Sequence, residues 1–258
     1  MSEEEIKSLE TSLVALAGCE LLMDQAEKEA EIFRIKKTQG IYEKRREILN
    51  KIPTFWYIVL AENDDFAEYI QSDDLKYLEC ITDIYVSYAA ANDELANPRD
   101  FSITIAFDGG EDKLIATQTV TKSFQTVVVD GEEKLTSQEV SIQWPSQLEP
   151  TNPSAIKKRC KESGKEMTAD DKKKYRLGMK SFFAYLSWTG EKPGKEFRHG
   201  EDLTRLIVDN LFPYAVKYYS EALPGDEDDD EDEEDSSEGE ALDLSDDEDE
   251  PEAKRQKK

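Results

Sequence analysis

The chain has one histidine and three cysteines in 258 residues, and it has no long apolar run. With His199 alone, neither a multi-histidine zinc site nor a Ser-His-Asp relay has support. Cys19, Cys80 and Cys160 are odd in number and far apart, which favours a reduced compartment, and we expect Cys19 and Cys80 to be buried. No run reaches the roughly 20 apolar residues of a membrane span. The sequence predicts no cofactor and no membrane partner.

Glycine-rich and metal-binding motifs are also missing. Residues 190–196 read G-E-K-P-G-K-E, but the two glycines are one residue too close for a phosphate loop, and Glu196 stands where a metal-binding hydroxyl is needed. Residues 226–235 lack the glycine and the spacing of a calcium-binding EF-hand loop. His199 precedes Gly200 and is expected to lie at the start of a helix. The sequence therefore predicts no catalytic residue, no metal ligand and no enzyme.

Basic residues are scarce relative to acids, with 33 Lys and Arg against 59 Asp and Glu and a net charge of −26. Residues 226–252 hold 19 of the acids and no base, whereas residues 1–225 carry 40 acids and 29 bases, a net of −11. Such charge opposes binding to phosphates and anionic lipid and attracts basic partners, with an attraction that weakens as salt rises. Basic proteins are the expected partners, and direct sequence-specific binding to nucleic acid is not expected.

The stretch from Ser2 to Ile52 predicts one long helix. Ser2 and Glu5 have the spacing of a capping box, and no proline occurs before Pro53. At 1.5 Å per residue the helix would be a rod of roughly 70 Å, which a globular monomer does not need. Apolar residues at helical spacing predict dimerisation with a second copy, namely Ile6, Leu9, Leu13, Leu16, Met23, Ala30, Ile41 and Ile48.

This apolar row is interrupted in the middle of the predicted helix. The same register carries Glu20, Glu27 and Arg34 there. The interruption argues against an ideal coiled coil and favours an antiparallel or skewed pairing of two copies. Two ordinary helices joined near Gly40 are the alternative.

Residues 53–224 predict an α+β domain. Residues 54–60 form an aromatic-rich apolar run, and residues 64–78 indicate short helices. Four antiparallel strands are expected after them, with turns at 108–110 and at 130–131. The strand signals lie at Ile81–Tyr88, Phe101–Phe107, Leu114–Val129 and Val140–Trp144.

The second half of this domain combines a basic stretch with further helices. Between Lys157 and Lys180 ten bases stand against four acids, and residues 156–174 have few apolar side chains, which predicts a mobile excursion. Helical signal returns at 179–188 and at 201–222, where Pro213 should bend or divide the helix.

Residues 225–258 are predicted to be a disordered acidic tail, because they cannot bury enough surface to offset the entropy of folding. Ser236, Ser237 and Ser245 lie among acids, the context of acidophilic kinases. The last residues, A-K-R-Q-K-K, fit a nuclear import signal through Lys254, Arg255, Lys257 and Lys258. A basic end that only aids solubility is the alternative.

Three stretches, taken in order, resemble the nucleosome assembly protein family. Residues 42–56 (Y-E-K-R-R-E-I-L-N-K-I-P-T-F-W) are similar to the family's junction between a long helix and a globular domain. Residues 181–188 (S-F-F-A-Y-L-S-W) resemble its S-F-F-x-W-F element, and residues 211–219 (L-F-P-Y-A-V-K-Y-Y) resemble its proline-aromatic segment. The resemblance covers roughly residues 5–222. Residues 192–200 (K-P-G-K-E-F-R-H-G) are similar to a short, SET-type fungal member that partners a histone acetyltransferase.

This resemblance implies a headphone-shaped homodimer. Two long helices would pair antiparallel, and each would carry an "earmuff" domain with a four-stranded sheet backed by helices. It also implies a histone chaperone that binds core histones, with three and four preferred, acts in nucleosome assembly and presents histones to a histone acetyltransferase. Such a protein would work in the nucleus and could shuttle to the cytoplasm. Its mechanism would be charge screening and handover to DNA, without a covalent step.

Acids near the last helix are the expected histone contacts, and acids of the tail form a looser second set. Relatives often carry acids where this chain has Val208 and Asn210, so the binding face differs from the family pattern. One alternative function is regulatory binding that inhibits a phosphatase or another enzyme, and another is nucleic-acid binding through residues 157–180. The expected histone contacts are Glu201, Asp202, Asp209 and Glu221, followed by Asp228, Asp229, Asp230, Glu233 and Glu234.

Overall fold

The structure is a computed structural model that describes residues 2–223. Its first element, α1 (Glu3–Leu49), is a continuous helix of 47 residues. The predicted capping box is present, because Ser2 Oγ accepts from Glu5 N at 3.3 Å and Glu5 Oε2 accepts from Ser2 N at 2.7 Å. The helix passes through Gly40 without a break, so the two-helix alternative is wrong. It ends before the predicted Ile52, since the residue before Pro53 is disfavoured in helical conformation.

The two halves of α1 have different surroundings. Every residue from 2 to 30 is exposed, whereas Ile35, Gln39 and Leu49 are buried against the rest of the chain. Cys19 lies in the exposed half, so its predicted burial is wrong, while Cys80 is buried as predicted. The large apolar residues of the predicted dimerisation row remain exposed, from Ile6 at 42% to Ile41 at 64%. Such a row of exposed apolar side chains is typical of an interaction surface.

Three short helices and one antiparallel sheet follow. The helices are α2 (Phe55–Ala61), α3 (Asp64–Ala67) and α4 (Leu75–Leu78). The strands are β1 (Ile81–Tyr88), β2 (Phe101–Phe107), β3 (Gln118–Val129) and β4 (Glu132–Ser137), and they lie in the order β1-β2-β3-β4. The clean alternation of β2 turns Phe101, Ile103, Ile105 and Phe107 into the core, as predicted.

The predicted position of the fourth strand is wrong. Asp130 and Gly131 both have positive φ, at 55° and 83°, and form a two-residue turn that pairs Val129 with Glu132 at once. The polar residues 132–137 therefore form β4. Residues 140–144 are irregular instead, and Val140 N donates to Leu186 O over 3.1 Å.

The connection between β2 and β3 is longer than the predicted tight turn. It spans residues 108–117, since Phe107 pairs with Gln118. Asp108 Oδ1 accepts from Gly110 N and from Thr117 Oγ1, each over 3.1 Å. The turn residues at 108–110 thus begin a loop that is closed by one carboxylate, and they do not join the strands directly.

The basic stretch is helical, so the predicted mobile excursion is wrong. It forms α5 (Pro153–Ser163) and α6 (Ala169–Gly178). Asn152 caps α5, Gly164 ends it in the left-handed conformation, and Thr168 and Asp171 form a capping box on α6. The low apolar content of this stretch does not indicate disorder, because the capping residues at the helix ends favour helix formation.

The remaining helices are short and lie where the last apolar pattern predicts them. They are α7 (Phe182–Tyr185), α8 (Gly200–Arg205), a π-helical segment (Leu206–Leu211) and α9 (Ala215–Glu221). Pro213 separates the π-helical segment from α9, as predicted. The helix expected over 179–188 is reduced to the single turn of α7, which is capped by Ser181.

The core lies between the sheet and the aromatic residues 182–188. One buried base connects the sheet to this aromatic segment. It is Lys122 on β3, which is 1% exposed. Its Nζ donates to the carbonyl oxygens of Gln138, Leu186 and Trp188 over 2.7, 3.1 and 2.6 Å. Burial lowers the pKa of Lys122 to about 8.

Several predictions lie outside the described residues. They are the disordered tail 225–258, the histone contacts Asp228, Asp229, Asp230, Glu233 and Glu234, the phosphorylation candidates Ser236, Ser237 and Ser245, and the import residues Lys254, Arg255, Lys257 and Lys258. Among residues 2–223 no helix combines the length and the apolar character that crossing a membrane requires.

Candidate functional site

The predicted acids of the last helices are positioned by the start of α8. Gly200 begins this helix, and a Cβ atom on it would lie 2.3 Å from Cγ of Trp188, so only glycine lets α8 pack this closely on the core. His199 is the N-cap residue, as predicted, and its Nδ1 lies 3.2 Å from Asp202 Oδ2. Glu201 and Asp202 fill the first turn, where the helix dipole favours acids.

Three of the four predicted acids already have a basic partner on their own segment. Glu201 lies 3.3 Å from Arg205, Asp202 pairs with His199, and Glu221 lies 3.7 Å from Lys217. Asp202 also faces Tyr69, whose pKa is raised by burial and by nearby carboxylates, Asp202 foremost. The partner of Glu201, Arg205, lines the same cleft as Asp209, whereas Asp202 and Glu221 are absent from that lining.

Asp209 lies in a cleft that no sequence pattern predicts. This residue is exposed on the π-helical segment, between the buried Val208 and Leu211. The cleft has a volume of about 350 Å³ and is bounded by α1, the sheet and the last helices. Residues that line it include Glu31, Arg34, Tyr88, Arg99, Glu133 and Arg205.

A second cavity, of about 640 Å³, adjoins this cleft and shares Glu31, Arg99 and Glu133 with it. Together the two cavities form one groove, which we call the α1–sheet groove. Its α1 wall carries Asp24, Glu27 and Glu31 at spacings of three and four residues, which place them on one helix face together with Lys28.

The opposite wall of the groove comes from the β1–β2 loop and the β3–β4 hairpin. Thr126 and Val128 project from β3, and Val128 is 68% exposed. Leu95 lies on the loop and is 93% exposed. The groove therefore has an acidic wall on α1 and apolar atoms on the side of the sheet.

The carboxylates of the groove differ in their pairing. Glu133 on β4 pairs with Arg99 on the β1–β2 loop. Among residues 2–223 no ion pair involves Asp24, Glu27, Glu31 or Asp209. Burial, which outweighs the opposing effect of Arg34 and is supported by Asp209 and Glu31, raises the pKa of Tyr88 to about 12. The linings of the two cavities also hold Lys28, Arg34, Arg99 and Arg205, so five acids face four bases and the groove has a small excess of negative charge.

Contacts at the second half of α1 hold the two walls in place. Gln39 Oε1 accepts from Tyr88 N over 3.4 Å, and Lys36 pairs with Glu94 on the β1–β2 loop. Arg45 donates to the carbonyl oxygens of Phe212 and Pro213 over 2.6 and 3.1 Å. These bonds join α1 to β1, to the β1–β2 loop and to the last helices, so the groove is built on regular elements.

The acidic wall does have a signal in the sequence. The polar interruption of the apolar row, which carries Glu27 and Arg34, is the part of α1 that faces the groove. An acid repeat at helical spacing between two apolar stretches can indicate a second functional face. In the sequence, the interruption indicates only a limit on how two copies pair. That interpretation does not predict that this part of α1 faces the groove.

The loop that superficially resembles a phosphate loop is filled by its own side chain. Glu196 Oε2 accepts from Thr189 N at 2.7 Å and from Thr189 Oγ1 at 2.9 Å, while Oε1 accepts from Lys192 N at 2.8 Å. Burial opposes ionisation of Glu196, but the hydrogen bonds from Lys192 N and from Thr189 outweigh it together and lower the pKa of this carboxyl group. This carboxylate occupies the donors that a phosphate would need. In the described part of the chain, no group of three or more His, Cys, Asp and Glu side chains could hold a metal ion.

Comparison with known proteins agrees with this fold. The family profile described as nucleosome assembly protein (NAP) matches residues 2–222. Vacuolar protein sorting-associated protein 75 of Saccharomyces cerevisiae is 41% identical over 220 residues, which cover 84% of this chain and 80% of that protein. A putative nucleosome assembly protein of Schizosaccharomyces pombe is 34% identical over 223 residues, which cover 80% of this chain and 81% of that protein.

Solved structures show the same similarity. The crystal structure of the Vps75 histone chaperone matches with a TM-score of 0.73 and 40% identity, over 82% of this chain and 98% of that chain. The crystal structure of Ccp1 matches with a TM-score of 0.58 and 30% identity, over 86% of this chain and all of that chain (100%).

Proposed function

The chain belongs to the nucleosome assembly protein family, and from this premise we propose that it is a histone chaperone. One structural observation supports the proposal most. The α1–sheet groove offers four carboxylates, Asp24, Glu27, Glu31 and Asp209, for which residues 2–223 supply no ion-pair partner. The similar protein Vps75, with 40% identity, is itself described as a histone chaperone.

The chemistry of the groove suits a basic protein. Histones are rich in Lys and Arg, and several dispersed carboxylates attract such a partner strongly at low salt and weakly at high salt. Each exposed ion pair contributes at most about 1 kcal/mol, so the sum holds histones without trapping them. DNA, with its dense phosphates, can then displace the carboxylates. The proposed mechanism is screening and handover, and it requires no covalent step.

We propose that the functional unit is a homodimer held by α1. The exposed row begins with Ile6, Leu9, Leu13 and Leu16, and after its polar interruption it resumes at Ile41 and Ile48. Apolar surface of this extent is stabilised when a second copy covers it. A dimer would also place two α1–sheet grooves in one particle, which doubles the number of carboxylates facing one histone complex.

The finer assignments are proposals that the family resemblance supports. We propose that the protein prefers histones three and four and presents them to a histone acetyltransferase. We also propose that it acts in the nucleus. Residues 192–200 carry the resemblance to a family member with an acetyltransferase partner. In this chain Lys192, Lys195 and Arg198 are exposed, while Glu196 anchors the segment from within. A partner would therefore meet a segment that is fixed in place.

The test replaces groove carboxylates by their amides. We expect the triple variant Glu27→Gln, Glu31→Gln, Asp209→Asn to bind core histones about tenfold more weakly, because it removes three contacts of up to about 1 kcal/mol each. The matched control, Glu62→Gln, Glu68→Gln, Glu79→Gln, removes three exposed acids outside the groove. Fluorescence titration at two salt concentrations measures both variants. Equal affinities for the two triple variants would contradict the role of the groove.

A further inference from the structure

The paired helices α5 and α6 form a basic surface that the histone-binding groove does not use. Neither helix contributes a residue to that groove. Eight bases of residues 157–180 are exposed and have no ion pair with any residue from 2 to 223. They are Lys157, Lys158, Lys161, Lys165, Lys172, Lys173, Arg176 and Lys180.

The helix pair holds these bases in fixed positions. Arg159 on α5 pairs with Asp171 on α6, and Nζ of Lys157 lies 5.1 Å from the ring centre of Tyr175. The end of α6 is fixed as well, because a Cβ on Gly178 would lie 1.9 Å from Thr151 O. The bases therefore project from a packed surface of the domain.

The basic surface continues onto the neighbouring loop 192–198. Lys157 shares a small cavity with Lys192 and Lys195. Lys180 lines a second cavity together with Arg198. We call the whole surface, formed by α5, α6 and this loop, the basic helix face.

The composition of this face indicates its partner. Protein–protein interfaces carry aromatic or apolar anchors at their centre. Of the large apolar residues of α5 and α6, only Leu177 is strongly exposed, at 45%. Contacts to a nucleic-acid backbone need no such anchor, since they consist of dispersed Lys and Arg on phosphates. The face is also rich in Lys, which binds phosphate as a point charge.

The negative net charge of the chain does not prevent this binding. At about 0.1 M salt, charges more than about 10 Å apart are largely screened, so the local surface decides. Residues 157–180, which include the connection between α5 and α6, hold ten bases against four acids.

We propose that the basic helix face binds the phosphate backbone of duplex DNA without reading its sequence. Histones in the α1–sheet groove and DNA on this face would then be held by one molecule. Handover of histones to DNA becomes a transfer within a complex, whereas a chaperone without a DNA surface must first meet DNA by diffusion. DNA binding of this kind does not depend on histones and is measured without them.

The test uses the full chain and a fluorescent duplex of about 30 base pairs, titrated between about 50 and 200 mM salt. Each phosphate contact contributes about 0.9 to the slope of log affinity against log salt. We expect the variant Lys158→Glu, Lys172→Glu, Lys173→Glu to lose about 2.7 from the slope, which is three such contacts, and at least about tenfold in affinity at the lowest salt. The milder variant Lys158→Gln, Lys172→Gln, Lys173→Gln should lose the same slope.

The matched control is Lys51→Glu, Lys113→Glu, Lys134→Glu, which changes the net charge equally at exposed positions elsewhere. It should keep the slope of the unmodified protein. Circular dichroism confirms that each variant is folded. No binding of the unmodified protein to DNA at the lowest salt, or an equal loss in the control variant, overturns the proposal. Binding of polyglutamate but not of DNA also overturns it and assigns the face to an acidic protein. Histone titrations of the same variants should be unchanged, so a failure here leaves the chaperone proposal intact.

Discussion

Arg46 donates from Nε to Asp83 Oδ2 over 2.9 Å, and this ion pair joins the last turn of α1 to β1. The side chain of Asp83 is only 8% exposed, and the Arg46 guanidinium also lies 4.3 Å from the ring centre of Tyr85. The pair stands where the projecting helix meets the domain. It therefore fixes the direction of α1, and with it the position of the acidic wall of the groove.

The ion pair leads to a prediction about stability. Arg46→Ala should lower the free energy of unfolding by about 3 kcal/mol, because it leaves a buried carboxylate without its partner. Chemical denaturation measures the loss. The double variant Arg46→Ala, Asp83→Ala should recover part of it, since no buried charge then remains unpaired. A double variant with a lower free energy of unfolding than Arg46→Ala would contradict this interpretation.

Charges placed in the apolar row of α1 should separate the dimer. We expect Leu13→Asp, Leu16→Asp to produce monomers, because burying two carboxylates in an apolar interface is strongly unfavourable. Both leucines are exposed, at 55% and 58%, so the domain itself should stay folded. Analytical ultracentrifugation gives the mass. The control Thr11→Asp, Ser12→Asp adds the same charge beside the row, and a dimer in both variants would argue against the proposed interface.

Lys122 should make the free energy of unfolding rise with pH in the alkaline range. Its pKa in the folded chain is about 8, below the ordinary 10.5, so the unfolded chain binds the proton more strongly. Between these values stability should therefore rise with pH, relative to the variant Lys122→Met, which has no titrating group there. Thermal unfolding of both proteins from about pH 7 to about pH 10 checks the sign. A difference that falls over this window would contradict the burial of the charge.

The same variant tests the role of Lys122 as a tie between layers. Lys122→Met leaves the carbonyl oxygens of Gln138, Leu186 and Trp188 without this donor. Leu186 O still accepts from Val140 N, and Trp188 O still accepts from Ser137 Oγ, so the amine is the donor that Gln138 O loses outright. We expect a loss of about 1–3 kcal/mol near neutral pH, the cost of one buried acceptor without a partner. Urea unfolding measures it, and an unchanged midpoint would show that other donors replace the amine.

Removal of residues 226–258 should separate affinity from assembly. This truncation deletes 19 acids but none of the apolar row of α1. We expect weaker histone binding, most clearly at low salt, with an intact dimer. Light scattering alongside a histone titration checks both results, and a monomeric product would be inconsistent with dimerisation through α1.

The fold is largely predictable because its signals are local. The capping box at Ser2, the alternation of β2 and the division at Pro213 each follow from a few neighbouring residues. The error at β4 has a physical cause, since a two-residue turn at Asp130 and Gly131 fixes the register against the apolar pattern. The helices α5 and α6 are not predicted, because the low apolar content of residues 156–174 is given more weight than the helix-capping residues.

The site is less predictable than the fold. Asp209 follows from its helix, but its neighbours on α1 are more than 170 residues away in the sequence. No local pattern brings Glu31 and Asp209 to one cleft. Their proximity depends on how α1 leaves the domain, which the contacts of Arg45 and Arg46 determine in three dimensions.

The most direct test of a histone chaperone built on paired α1 helices is a titration of purified core histones with the full chain at low and high salt, alongside the mass of the free protein. We predict a dimer that binds histones tightly at low salt and more weakly as salt rises. A compact single subunit that does not bind histones at either salt concentration would contradict this prediction.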